Sequence, residues 1–258
     1  MATIIPIPAF RDNYIWVVRN GQLAAVVDPG DAAPVLAWLD AHDVRLSAII
    51  ATHHHADHVG GVAALCARDD VPVFGPARET IPRRTHALRE GDRVDVPGVD
   101  LSLAVFDIPG HTAGHIACYS TGSDPLVFCG DTLFAAGCGR LFEGTPDQMW
   151  TSLSKLAALP PATRVYCGHE YTLANLRFAQ AVEPDNADIR DRMAREHAKR
   201  EQGAPTLPST IGDELATNPF LRAALPGVVA SASAHAGRPM QGSVDSFATL
   251  RQWKNDFA

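Results

Sequence analysis

The chain has no C-x-x-C pair; its five cysteines, Cys66, Cys118, Cys129, Cys138 and Cys167, form an odd, scattered set. Such a set reads as free or buried thiols in a reducing compartment. No basic run occurs either, which argues against a nucleic-acid partner, whose phosphates demand clustered cations. No apolar stretch is long enough to cross a bilayer. The N-terminus lacks both a basic start and a long apolar run, so the expectation is a chain without an export signal or membrane partner that works in the cytoplasm. Low-complexity segments and internal repeats are absent, and no protein partner is evident.

What is present describes an ordinary globular protein: 258 residues, 46% hydrophobic and 20% charged, enough to bury a substantial core. The net charge is −7, and it is uneven. Residues 173–258 carry ten basic and ten acidic side chains, so the excess of acid lies in residues 1–172.

That acidic portion contains the densest chemistry in the chain. Residues 52–58 read Thr-His-His-His-Ala-Asp-His, and their skeleton H-x-H-x-D-H supplies His53, His55, Asp57 and His58. Imidazole nitrogen and carboxylate oxygen suit zinc and neighbouring first-row metals, and four such groups exceed what one tetrahedral ion with an open position needs. Residues 47–52 read as a buried strand, so His53 and His55, two apart, face one side. Asp57 and His58 fall where a helix begins, with Val59, Val62, Leu65 and Cys66 at helical spacing behind them.

Upstream, residues 4–7, 14–18 and 23–27 read as strands, with Asn20-Gly21 as a hairpin turn and Ala32–Ala41 as a helix capped by Asp31. Downstream, residues 71–75, 94–96 and 101–108 resume strand character, while residues 78–93 take no assignment. A repeated arrangement follows, of apolar strand, glycine and potential ligand: Phe106-Asp-Ile-Pro-Gly-His111, Leu126-Val-Phe-Cys-Gly-Asp131 and Val165-Tyr-Cys-Gly-His169. Glycine at a strand end lets the backbone turn and present a side chain at a sheet rim. From Thr172 helices are expected, over residues 173–182, 187–200, from Leu207, and over 245–253. Residues 230–242, rich in Ala, Ser and Gly, read as a loop.

With His111, Asp131 and His169 the set reaches seven. H-x-H-x-D-H, Pro109-Gly-His-Thr112, Gly130-Asp-Thr-Leu-Phe134 and Gly168-His-Glu-Tyr-Thr172 resemble the successive signatures of the metallo-β-lactamase superfamily. More narrowly, residues 137–144 (Gly-Cys-Gly-Arg-Leu-Phe-Glu-Gly), the His-Glu-Tyr-Thr-Leu-Ala-Asn-Leu run, Val182-Glu-Pro184 and Asn218-Pro-Phe220 resemble the glyoxalase II family of hydroxyacylglutathione hydrolases. The resemblance implies an α/β four-layer αββα sandwich over residues 1–172 and a smaller α-helical domain over 173–258 that binds glutathione. It implies that His53, His55 and His111 bind one divalent ion and Asp57, His58 and His169 another, with Asp131 bridging; zinc is expected, and iron or manganese suits the same ligands. His115 is the rival to His111, and the motif favours His111.

The implied reaction is hydrolysis of S-(2-hydroxyacyl)glutathione, chiefly S-lactoylglutathione, to glutathione and D-lactate in methylglyoxal detoxification. Two cations sharing a hydroxide make the nucleophile at neutral pH, Asp57 orients it, and a thiolate leaves with little protonation. Arg251 and Lys254, three apart on one helical face, match the family pair for a glutathione carboxylate. Tyr171 and Asn175 match residues that contact its backbone. Arg140 stands where some relatives have lysine, and Phe142 where some have a hydrogen-bonding tyrosine. The rival reading is a mononuclear-iron glutathione persulfide dioxygenase, which shares the ligand motif and lacks the terminal R-x-x-K.

Overall fold

The computed structural model describes residues 2–257. They fall into two compact units: the described residues up to Asp107 together with Thr112–Gly130, and Ile108–His111 together with the described residues from Asp131 onward.

The first unit opens with strands β1 (Thr3–Ala9), β2 (Asn13–Asn20) and β3 (Leu23–Val27), paired antiparallel. Helix α1 (Ala32–Ala41) starts where expected, with the Asp31 carboxylate accepting the Ala33 amide proton at 2.9 Å. Strand β4 (Arg45–Ile50) runs parallel to β3. The helix expected after it breaks in two at Gly60-Gly61, as α2 (Ala56–Val59) and α3 (Val62–Arg68). Strands β5 (Val73–Pro76) and β6 (His86–Leu88) complete a sheet ordered β1-β2-β3-β4-β5-β6.

Parallel strands covered on both faces read as continuous apolar runs. Val26, Val27, Ile49 and Ile50 accordingly lie buried, and Val35, Leu39, Val62 and Leu65 of α1 and α3 join Val17, Val26 and Ile49 in one core. This unit also holds an antiparallel sheet of β7 (Arg93–Asp95), β8 (Ser102–Asp107), β9 (Ile116–Ser120) and β10 (Leu126–Gly130). The unassigned stretch 78–93 thus contributes β6 and the start of β7.

The second unit contains the two-residue hairpin β11 (Leu133–Phe134) and β12 (Gly137–Cys138), then α4 (Pro146–Ala157), β13 (Arg164–Cys167), α5 (Thr172–Val182) and α6 (Ala187–Glu201). Helix α4 was not anticipated, although Thr145 and Gln148 form a capping box around Pro146 that announces it. Strand β14 (Ser209–Thr210), helix α7 (Ile211–Thr217), α8 (Pro226–Ala236) and α9 (Ser243–Asp256) follow.

Two expectations need correction. The helix expected from Leu207 starts at Ile211, because Thr210 is its N-cap, accepting from the Asp213 amide at 3.1 Å. The loop expected over 230–242 is helical as far as Ala236. Its alternating alanines are strong helix formers, Pro226 occupies the first turn, and Gly237 at φ +66° ends it. Gly237→Ala should therefore destabilise the protein by about 1 kcal/mol in denaturant titration. Gly227→Ala, inside the same helix with nothing within 4 Å of the added carbon, should be neutral or stabilising by about 0.5 kcal/mol. Equal effects would show that the turn at 237 does not define the helix end.

Candidate metal centre

Strand β4 ends at Ile50, and the histidine-rich loop leaves from it. The anchor is Asp28, just past β3, a buried carboxylate on a residue at φ +53°. It accepts the Thr52 amide proton at 2.7 Å and the Thr52 hydroxyl at 2.8 Å, and its Oδ2 lies 3.1 Å from His58 Nδ1. Because the one hydroxyl proton of Thr52 goes to Asp28, Thr52 Oγ1 accepts from His53 Nδ1–H at 3.1 Å. Both imidazoles therefore carry their proton on Nδ1 and turn the Nε2 lone pair the other way.

His53 Nε2 lies 3.2 Å from His55 Nδ1. Two nitrogens bound to one tetrahedral ion at about 2.0–2.1 Å stand roughly 3.3–3.4 Å apart, so this pair has the spacing of co-ligands. The second pair is arranged alike: Asp57 Oδ2 lies 3.6 Å from His58 Nε2, and Asn13 Nδ2 donates to that carboxylate oxygen at 3.0 Å. His115 lies buried and stacked on His53, with ring centroids 4.5 Å apart, and its Nδ1 meets the Ile116 carbonyl at 3.0 Å. His54 turns to Glu79, 3.0 Å away.

The other three expected ligands lie in the second unit and form their own group. His111 Nδ1–H donates to the Arg140 carbonyl at 2.9 Å, which leaves Nε2 to ligate. One oxygen, Asp131 Oδ2, stands 3.5 Å from His111 Nε2 and 3.2 Å from His169 Nε2. A carboxylate flanked by two imidazoles has the disposition of a shared ligand. Gly139 packs against this group so closely that a Cβ there would lie 1.9 Å from the Asp131 carbonyl oxygen. The His169 ring is stacked flat on Tyr171 at 4.7 Å.

These donors fit divalent first-row ions. They are imidazole and carboxylate, and the distal nitrogens of His53, His58 and His111 are hydrogen-bonded as metal-binding histidines require. No cysteine belongs to these groups among the described residues, and burial pushes the Cys118 and Cys167 thiols up to about 12.

Beside His111 and Asp131 the second unit encloses a cavity of about 490 Å³, lined also by Arg140, Phe142, Tyr171, Asn175, Arg251 and Lys254. All six residues expected to meet substrate thus share one wall. Lys254 is half-buried, and its pKa is pushed down by burial and then by Arg251, Arg177 and Arg140. Arg251 is almost fully buried; its Nη1 donates to the Cys138 carbonyl at 2.7 Å. Phe142 stands exposed, edge-on to His111 at 5.2 Å. Sequence reasoning missed Asp28, Thr52, Asn13 and Cys138. The only signal for Asp28 is an acid that, with Pro29-Gly30, ends the apolar run 23–27.

A fold and donor set of this kind define a class. The model of the metallo-beta-lactamase superfamily matches residues 9–169, and a solved protein, TTHA1623 in a di-iron-bound form, is 30% identical with a TM-score of 0.60, covering 84% of this chain and 100% of that one. The chain has the metallo-β-lactamase fold, an αββα sandwich that binds divalent metal, with a helical C-terminal region. The model named Hydroxyacylglutathione hydrolase C-terminus matches residues 170–257. The hydroxyacylglutathione hydrolase of Alkalilimnicola ehrlichii is 59% identical over 99% of both chains, and that of Nitrosomonas europaea is 52% identical over 100% of this chain and 97% of its own. The chain belongs to the hydroxyacylglutathione hydrolase family, and it is a hydrolase.

If Asp28 sets the tautomers of His53 and His58, Asp28→Asn should weaken divalent-metal binding about 10- to 100-fold in competition with a chromophoric chelator. Undiminished affinity would remove that role.

Proposed function

We propose that the chain hydrolyses the thioester of S-(2-hydroxyacyl)glutathione, chiefly S-lactoylglutathione, to glutathione and a 2-hydroxy acid, D-lactate in that case, as a cytoplasmic step of methylglyoxal detoxification. The observation that carries this is the cavity that unites two expected metal ligands, His111 and Asp131, with a cluster of cations in an otherwise acidic chain. The family match over residues 170–257 supports this reading over a persulfide dioxygenase.

His53, His55 and His111 would hold one divalent ion, Asp57, His58 and His169 the other, and Asp131 would be shared; zinc is the expected metal, with iron or manganese suited to the same donors. When bound, the ions supply a hydroxide at neutral pH and polarise the thioester carbonyl. The chain's own part is orientation. Asn13 fixes one oxygen of Asp57, so the carboxylate keeps one orientation and would orient the attacking oxygen. No general acid is needed, because a thiol of pKa about 8.5 leaves as thiolate.

Glutathione carries two carboxylates. Arg140, Arg251 and Lys254 crowd together, and Arg251 Nε is buried without a hydrogen-bond partner among the described residues. A carboxylate seated in the cavity would offset the mutual repulsion of these cations. Tyr171 and Asn175 line the same wall. Phe142 offers no hydroxyl, so at that position recognition rests on apolar contact. The proposed division of labour places the metal chemistry in residues 1–172 and gives 173–258 the glutathione-binding part through Asn175, Arg251 and Lys254, with Arg140, Phe142 and Tyr171 joining it from the first segment; the family models meet between 169 and 170.

The test is hydrolysis of S-lactoylglutathione beside the same acyl group on coenzyme A and on a small thiol, with metal content measured on the same sample. A kcat/KM at least tenfold higher for the glutathione ester is expected; equal values on all three would remove the recognition proposal. Lys254→Ala should raise KM about tenfold with kcat retained, and Asp131→Ala should abolish turnover.

A further inference from the structure

The hairpin β11–β12 begins two residues after Asp131 and gives Phe134 and Cys138 to the cavity wall. Its own ladder has two residue pairs, and Ala136 at its tip sits at φ +54°, a conformation L-residues resist. Such a hairpin cannot hold its shape alone. Buried side chains from the helices hold it instead. Asn218 Nδ2 donates to the carbonyls of Phe134 at 3.2 Å and Gly137 at 2.9 Å. Glu214 Oε2 accepts the Ala136 amide proton at 2.7 Å, Asn175 Nδ2 donates to the Ala135 carbonyl at 3.0 Å, and Arg251 meets that of Cys138.

Asn218 stands at the centre of this set. It caps α7, is fully buried, has Glu214 Oε2 2.9 Å from the same Nδ2, so that its two protons are shared among three acceptors, and through Oδ1 accepts the Phe220 amide proton at 3.0 Å. Glu214 is in turn fixed by Arg192 at 2.7 Å. At the base of the hairpin Gly139 N–H donates to the Thr132 carbonyl at 3.2 Å, and Gly139 packs on the Asp131 backbone. A shift of the hairpin therefore carries Asp131 with it.

We infer that Asn218, working with Glu214, is a positioning residue for the hydrolytic centre: its amide fixes the β11–β12 hairpin and thereby the place of the Asp131 carboxylate. The inference rests on the metal-ligand role of Asp131 proposed above. Asn218→Asp is nearly isosteric and keeps the Oδ1 bond to Phe220, but it turns the donor into an acceptor facing two carbonyls and Glu214. The folded variant should lose about tenfold or more in kcat on S-lactoylglutathione, a larger change than any in KM, which the cavity-lining Phe134 and Cys138 can also shift, and about tenfold or more in metal affinity by chelator competition. Should Asn218→Asp fail to fold, Asn218→Ala removes the donor without adding charge and is judged by the same measurements. A folded variant with wild-type kcat and metal affinity, or one in which KM alone rises, overturns the inference. If the wild-type chain itself spares glutathione thioesters, the substrate reading fails while metal affinity still decides the role of Asn218.

Discussion

An imidazole offers a metal one lone pair and must place its proton on the other nitrogen, so a histidine-rich centre depends on what those other nitrogens meet. In this chain one buried carboxylate answers for two rings. Asp28 accepts from Thr52 and lies against His58, and Thr52, its proton spent, accepts from His53. Burying a carboxylate costs several kcal/mol unless donors surround it, and three donors do so. The left-handed backbone at Asp28, tolerable for aspartate more than for most residues, turns the side chain back toward the loop. His111 solves the same problem with a backbone carbonyl, that of Arg140.

Asp131 meets a different requirement. Its Oδ2 has an imidazole on either side, so its position has to be held to a fraction of an ångström from behind. The backbone supporting it is a hairpin with almost no hydrogen bonding of its own. The polar side chains that complete it are anchored in helices, where regular backbone pairing fixes them. Rigidity is thus imported from α5, α7 and α9 into an irregular segment, which is how loops carry function without being loose.

The motifs of the candidate ligands stand out because each sits where a strand stops: H-x-H-x-D-H after β4, and glycine followed by His111, Asp131 or His169. Local pattern and chemistry coincide there. Asp28 was not legible, since Asp-Pro-Gly after a strand reads equally well as a turn, and its partners Thr52 and His58 lie 24 and 30 residues away. Asn218 and Glu214 are further beyond reach, with hairpin partners 84 and 78 residues distant. Residues 230–242 were misread for another reason. Serine and glycine in the composition outweighed the alanines, although the glycine that matters, Gly237, ends the helix and does not interrupt it.

Arg251 and Lys254 show how helical spacing can give two neighbours unequal work. Their separation puts both on one face of α9, which on sequence grounds makes them a matched pair for a carboxylate. Arg251, however, is deeply buried, lies 5.0 Å over the Phe220 ring and spends one donor on the Cys138 carbonyl. A guanidinium has five N–H donors in a fixed fork, so one can brace the hairpin while another faces a ligand. Lys254 makes a looser contact, Nζ donating to the Ala174 carbonyl at 3.4 Å and none to the hairpin: its ammonium is half-buried over Phe178 and Phe257 and its charge is opposed by three arginines. An anion bound there relieves that opposition directly. Removing Lys254 therefore bears on the anion site without touching the hairpin, whereas removing Arg251 disturbs both the anion site and the hairpin that follows Asp131.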